Sequence, residues 1–276
     1  MNDAGPARLW GRADAYEAYV GRWSRLLARE CLAWMAAPGG GRWLDVGCGI
    51  GAVSQTILAS AAPAEVHGID QSEPFIAHAR AIITDDRAQF HVGDAMRLPF
   101  ANGRFDAVVS GLVLNFLPDA RTAVTEMARV TRPGGGVASY VWDYGGEMQM
   151  MRRFWDTAVE LDPAAAAHDE GRRFGVAHPD RLRAVAEAAG LDAVEARPID
   201  ISTRFRNFYD YWTPFLGGVG PAPTYLATLS EERQAALRER IRGRLPAAPD
   251  GSITLMARAW AVRGVARDKA KPAVAG

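Results

Sequence analysis

The sequence predicts an α/β fold built on a doubly wound, Rossmann-like sheet. Three observations carry that expectation. Short apolar runs alternate with helix-length segments from Arg42 to Trp142, the rhythm of strand–helix–strand units. The first run ends in Gly47-Cys48-Gly49-Ile50-Gly51, a glycine turn of the kind that leads a strand into a helix. Phe105–Ser110 is nearly continuously apolar, as in a parallel strand covered on both faces.

Each element has a local reason. Asp14 and Glu17 can form a capping box, and Tyr16, Tyr19, Trp23, Leu26, Leu27 and Trp34 then recur at helical spacing until Pro38-Gly39-Gly40-Gly41 ends the helix. Arg42–Val46 reads as a strand, Val53–Ala61 as a helix and Glu65–Asp70 as a strand. Ser72 caps a helix with Pro74 in its first turn, running to about Ile83. Gln89–Val92 and Phe105–Ser110 are the next strands. Ala120–Thr131 is a helix closed by Pro133-Gly134-Gly135-Gly136, and Val137–Trp142 is the fifth strand. Beyond it, helices are expected at Glu147–Leu161, Pro179–Ala189 and Ser230–Leu245, with Ala164–Gly175 as loop and strands at Val194–Ile199 and Ile253–Val262. The organisation expected is one domain over residues 1–265. Its core is 42–143, with additions at 1–38, 145–177 and 205–249 and a disordered tail at 266–276.

Composition narrows the function class. The 276 residues are 49% apolar, ample for a core, and Lys+Arg 32 balance Asp+Glu 32, so no global charge draws the chain to nucleic acid or to an anionic membrane. No run approaches the ~20 apolar residues of a membrane span. Met1–Trp10 lacks the apolar stretch of a signal peptide. Cys31 and Cys48 make neither a disulfide framework nor a metal-ligand spacing. The expectation is a cytoplasmic enzyme without a metal.

The chemistry gathers where strands end. Glycines in the Gly47–Gly51 turn let the backbone approach a ligand, and the helix behind offers free N–H groups. Asp45, two residues before Gly47, would repel a pyrophosphate but suits an ammonium or sulfonium, which tilts the reading away from a nicotinamide dinucleotide. Asp70, about 20 residues after the turn, can accept both hydroxyls of a ribose. Asp94 can accept an exocyclic amine of adenine, with the apolar residues after it covering the ring.

Leu44–Gly51, Asp70, Gly93–Phe100, Phe105–Val109 and the segment from Glu126 through Arg129 to Gly135 together resemble a class I S-adenosylmethionine-dependent methyltransferase. The likeness covers about residues 42–143 and is greatest to the ubiquinone/menaquinone methyltransferase-like, small-molecule branch. It implies a seven-stranded sheet with the last strand antiparallel and helical cap insertions, and S-adenosyl-L-methionine as cofactor. By the family pattern Asp45, Gly47 and Gly49 hold the amino-acid end of the cofactor, with Cys48 inside the same turn. Asp70 holds the ribose, Gln71 flanks the adenine, Asp94 and Ala95 bind its edge, and Gly111 and Leu112 lie beneath; Met96, next in the loop, is a candidate to cover the ring. Ser110-Gly111-Leu112-Val113-Leu114-Asn115-Phe116 departs from the Asn/Asp-Pro-Pro-Tyr motif of amino-methylating enzymes, and Leu114 stands where quinone enzymes carry Arg.

Outside the turn, Tyr19 and Trp23 are candidates for a lid over the cofactor or for plain core, and Arg22 for the methionine carboxylate or for solvent. Asp143 and Tyr144, at the end of the fifth strand, and His178 are candidate catalytic groups; His168 and His178 fit surface or cap positions as well. The aromatic band Phe208–Phe215 reads as a roof over an apolar acceptor. The function expected is in-line methyl transfer from S-adenosylmethionine to a small, partly apolar molecule. The alternative is a protein that binds S-adenosylmethionine without methylating, either a binding subunit or a cofactor-retaining cyclase.

Overall fold

The computed structural model describes residues 21–37, 39–217 and 220–267. In chain order the elements are α1 (Arg22–Met35), β1 (Arg42–Val46), α2 (Ala52–Ser60), β2 (Glu65–Asp70), α3 (Glu73–Ile82), β3 (Ala88–Val92), β4 (Phe105–Gly111), α4 (Ala120–Val130) and β5 (Thr131–Trp142). Then come α5 (Gln149–Leu161), the short α6 (Glu170–Arg173), α7 (Pro179–Ala188), β6 (Leu191–Phe205), α8 (Phe208–Trp212), α9 (Pro221–Thr228), α10 (Glu231–Arg242) and β7 (Ile253–Ala266). The seven strands form one sheet in the order β3-β2-β1-β4-β5-β7-β6, with the five strands of the β/α half parallel and the last strand antiparallel.

Contacts divide the chain into two compact units, where the sequence suggested one domain. A sheet unit holds residues 28–141, 178–198 and 260–276; a helical unit holds 1–27, 142–177 and 199–259. The helical unit thus takes in the stretches 145–177 and 205–249 read as additions, whereas 28–38 of the N-terminal one fall in the sheet unit.

In the sheet unit, the apolar runs pair in register. Trp43 lies opposite Val66 and Ala107, and Asp45 opposite Gly68 and Val109. Leu44, Val66, Val108 and Val109 are fully buried, as the apolar pattern requires, and so is Trp43, which only packs. The Ser72 hydroxyl accepts from the Phe75 N–H at 3.4 Å, starting α3 where expected.

Three expectations change here. β5 begins at Thr131, before the Pro-Gly run, because Thr131 pairs with Phe105 while Gly136 pairs with Ala107. Residues 132–135 therefore bulge opposite Asp106. Gly135 is required in that bulge, since a Cβ there would lie 2.8 Å from the Asp106 carbonyl and 2.9 Å from that of Arg132. Asp106 fastens the bulge by accepting from Arg132 Nε at 2.7 Å and from the Arg42 backbone N–H at 2.8 Å. β6 runs on to Phe205 because Ile199, Ile201, Thr203 and Phe205 are buried alternately with exposed partners, a period-2 pattern interrupted by too many polar residues to be obvious in sequence. β7 continues to Ala266, one residue into the stretch read as tail; residues 268–276 lie outside the described residues.

In the helical unit, the segment read as loop contains a 3-10 turn, Pro163–Ala167, and α6. Asp169 accepts two hydrogen bonds from Arg152, at 2.7 and 3.1 Å. Beside it Glu170, 1% exposed, accepts from Trp155 Nε1 at 2.7 Å, and burial pushes its carboxyl up to about 7. The aromatic band is interior to this unit: Phe215 stacks on Phe154 at 4.8 Å, and the Tyr211 hydroxyl donates to the Met150 carbonyl at 2.9 Å. Tyr209 alone of that band's large rings is well exposed.

Hydrogen bonds from Arg42 and Arg132 outweigh burial and lower the Asp106 carboxyl to about 2. A depressed carboxylate stabilises the fold above its unfolded value and loses that contribution as pH falls through the folded one. Asp106→Asn is therefore expected to cost about 2 kcal/mol at pH 7. In urea unfolding that gap should narrow as pH is lowered from about 4 toward 2; a gap independent of pH would contradict the assignment.

Candidate functional site

At the ends of β1 and β2 the sheet unit presents a tightly organised loop pair. Gly47 and Gly49 have φ of +73° and +53°, a region that disfavours side chains. Gly47 is also crowded: a Cβ there would sit 2.4 Å from Val113 Cγ2. Gly49 differs, because a Cβ would meet nothing within 4 Å, so the turn opens at that residue. The Gly47 and Cys48 N–H groups both donate to the Ile69 carbonyl, at 2.7 and 3.0 Å.

Asp70 ties the two loops together. Its Oδ2 accepts from the Gly49 N–H at 3.0 Å and its Oδ1 from the Ser72 N–H at 2.9 Å. Burial raises its carboxyl, against the pull of those backbone donors. Gln71, between the two, is exposed.

Asp45 is 0% exposed. Its Oδ2 accepts from the Ser54 N–H at 2.9 Å and the Ser54 hydroxyl at 2.7 Å, at the start of α2. Its Oδ1 is buried without a partner. Desolvation raises the carboxyl to about 7, with the Ser54 bonds opposing and the Asp70 charge adding a little.

Asp94 is exposed and its Oδ1 accepts from the Met96 N–H at 2.8 Å, turning the loop; Ala95 is buried and Met96 partly so. Sequence reasoning assigned no role to the two residues that brace this loop. Glu126 accepts from the Leu98 N–H at 2.8 Å and pairs with Arg129 at 2.7 Å. Arg129 in turn donates to the carbonyls of Leu98 at 2.9 Å and Phe100 at 2.8 Å. The Phe100 ring meets His67 and His91 edge-on, and those imidazoles share a 3.0 Å hydrogen bond. The spacing Glu126–Arg129, three residues apart on a helix, is the signal that was available. Gly111 ends β4 against the Tyr140 ring, and Leu112 is held at φ +64° by donating to the Tyr140 carbonyl at 2.8 Å.

Several candidates fall elsewhere. The Cys48 thiol packs with Ile76, Ala79, Ile83 and Phe90, and burial with the Asp45 and Asp70 charges raises it well above the usual thiol range. Cys48 thus fills space behind the turn. Arg22 and Trp23 belong to the helical unit, where Arg22 donates to Asp210 Oδ1 at 3.0 Å and stacks on Trp23 and Phe205. That pairing is the one the structure gives Arg22. Tyr19 lies outside the described residues.

Asp143 and Tyr144 sit together at the end of β5 in the helical unit, whereas His178 is in the sheet unit. Asp143 Oδ2 accepts from the Glu147 N–H at 2.9 Å, so its carboxylate closes a turn. Tyr144 is buried with its ring edge-on to Phe174. His178 is the cap of α7: Nδ1 accepts from the Asp180 N–H at 3.3 Å. Among the described residues no group of acidic, histidine or cysteine side chains is arranged to hold a metal ion.

Comparison with known proteins agrees with this geometry. Residues 44–139 match the methyltransferase domain family. A methyltransferase of Streptomyces halstedii, GfsG, is 32% identical over 66% of this chain and 66% of its own length. A demethylmenaquinone methyltransferase of Roseiflexus is 38% identical over 48% of this chain and 57% of its own. The chain therefore spans less than two thirds of the length of these relatives. The fold is similar to that of phosphoethanolamine N-methyltransferase 2 of Haemonchus contortus, solved with S-adenosyl-L-methionine. The TM-score there is 0.59 at 19% identity, over 92% of this chain and 56% of that one.

Two measurements test the local geometry. Arg129→Ala is expected to raise amide hydrogen exchange across residues 95–102 while β1 and β4 stay protected, because the loop loses its carbonyl anchors; unchanged exchange there would remove Arg129 as the brace. For Asp45 the folded value is raised, so its contribution is fully favourable below the unfolded value and lost as pH rises through about 7. The melting temperature of Asp45→Asn relative to the parent should accordingly rise between pH 4 and 7 and level off above. A glycine turn open at Gly49, the acidic residues at the ends of β1, β2 and β3, the seven-stranded order and the matched span lead to one assignment: residues 44–139 are a methyltransferase domain of the class I S-adenosylmethionine-dependent family.

Proposed function

We propose that the sheet unit binds S-adenosylmethionine along the ends of β1 to β4 and that the protein transfers its methyl group to a small, partly apolar molecule. The observation that carries this reading is the buried, unpartnered Oδ1 of Asp45 beside a turn that opens at Gly49. A carboxylate oxygen withdrawn from water without a donor is costly, and a cationic amino-acid end relieves it. The residues present fit the group.

When bound, S-adenosylmethionine supplies an activated methyl on sulfur, which a nucleophile of the acceptor displaces in line with the departing thioether. The chain's own residues bind and orient. Asp45 offers its free oxygen to an ammonium, held rigid by Ser54 through the other. Asp70, already fixed by Gly49 and Ser72, keeps lone pairs for ribose hydroxyls. Ala95 and Met96, on the loop braced by Glu126 and Arg129, offer an apolar edge to adenine. Such fixed geometry is how a protein accelerates a reaction whose electrophile needs no further activation. The name of one relative, a demethylmenaquinone methyltransferase, supports the acceptor class, and no described helix is long and apolar enough to cross a membrane.

Calorimetric titration with S-adenosylhomocysteine, with NADH as the competing ligand, tests the reading. Binding of the former alone is expected, and Asp70→Ala should weaken it roughly 10- to 100-fold through loss of charge-assisted hydrogen bonds. Preference for NADH, or no binding of either, would overturn it.

A further inference from the structure

We infer that Asn115 is a further binding residue for the amino-acid end of the cofactor; this deepens the reading just given and rests on it. Asn115 lies in a 3-10 turn, Leu114–Phe116, directly after β4. Neither its side-chain oxygen nor its side-chain nitrogen has a hydrogen-bond partner, and both are shielded from water. The donor and the acceptor of this primary amide are thus both unmet.

Its position is held from two sides. Leu112 takes a left-handed conformation, φ +64°, and its N–H donates to the Tyr140 carbonyl at 2.8 Å. Val113 fills the space above Gly47, where a Cβ would come within 2.4 Å of its methyl group. The turn bearing Asn115 is thereby pressed onto the same glycine loop that Asp45 precedes. Leu114 is buried and the Phe116 N–H closes the turn on the Val113 carbonyl at 2.8 Å. A strained residue beside an unmet polar side chain marks a functional position rather than a packing accident.

The chemistry of the missing partner follows from the amide. It presents one acceptor and one donor side by side, and an α-amino acid presents the complement: an ammonium to donate and a carboxylate to accept. The free Asp45 oxygen adds the anion that the ammonium needs. An apolar surface would leave the amide as it is. Gly47 keeps the turn in place, since a side chain there would displace Val113.

The test compares two ligands that differ only at that end, S-adenosylhomocysteine and 5′-methylthioadenosine, by calorimetry on the parent and on Asn115→Leu. The variant should bind S-adenosylhomocysteine roughly 10- to 100-fold more weakly and methylthioadenosine within about twofold of the parent. Its ligand-free melting temperature should be unchanged or higher, because an unmet amide has been replaced by an apolar group of similar size. Asn115→Ala, which adds no bulk, carries the same expectation should leucine prevent folding. If the parent binds S-adenosylhomocysteine and the variants bind it equally well, or lose both ligands together, the inference fails alone. If the parent binds neither ligand, the cofactor reading fails and takes this one with it.

Discussion

The carboxylate of Asp70 is the constraint on which the ligand-binding edge of the sheet unit depends. One oxygen holds the Gly49 N–H and the other the Ser72 N–H, so the loop after β1 and the start of α3 are set by a single side chain at the end of β2. Hydrogen bonds from backbone amides to a carboxylate are charge-assisted and directional. They position the glycine turn in a conformation that its own sequence merely permits. The register of β1 with β2, Val46 opposite Ile69, puts that carboxylate where both loops can reach it. The Ile69 carbonyl, one residue earlier, takes the Gly47 and Cys48 N–H groups and completes the clamp.

Around that clamp the unit holds polarity it does not satisfy. Asp45 is engaged on one oxygen and bare on the other, and the Asn115 amide is bare on both atoms. Elsewhere the same unit pairs its charges with care: Asp106 with Arg42 and Arg132, Glu126 with Arg129, Arg263 with Glu195. The contrast sets the ion pairs that hold the fold apart from the two groups proposed to meet the cofactor. A raised carboxyl at Asp45 is the electrostatic face of the same fact, since an anion without a nearby cation in a buried site resists ionisation.

Much of this was legible in the residues. The strand limits Arg42–Val46 and Glu65–Asp70, the Ser72 cap with Pro74 behind it, and the Ser230 cap of α10 rest on chemistry within a few positions, and the structure reproduces them. Other features were beyond reach because they need a distant partner. The charge of Arg22 is settled by Asp210, far along the chain, and that of Arg152 by Asp169 in a segment that reads as loop. Glu170 looks like one more surface acid until Trp155 and its burial are seen. β6 extends to Phe205 through polar residues because every second side chain from Ile199 is covered.

By itself the sequence determined the order of strands and helices from Arg42 to Trp142, the glycine turn with its flanking acids, and through them the family resemblance. Those follow from backbone freedom, apolar periodicity and local capping, which a short window of residues contains. Only the tertiary structure decided which polar groups are spent and which are left open: Cys48 turned into packing, His178 into a helix cap, Asp143 into a turn, and Asn115 into an amide without a partner. The reason is that satisfaction of a hydrogen-bonding group is a property of its surroundings in space, and those are assembled from segments that local chemistry cannot relate.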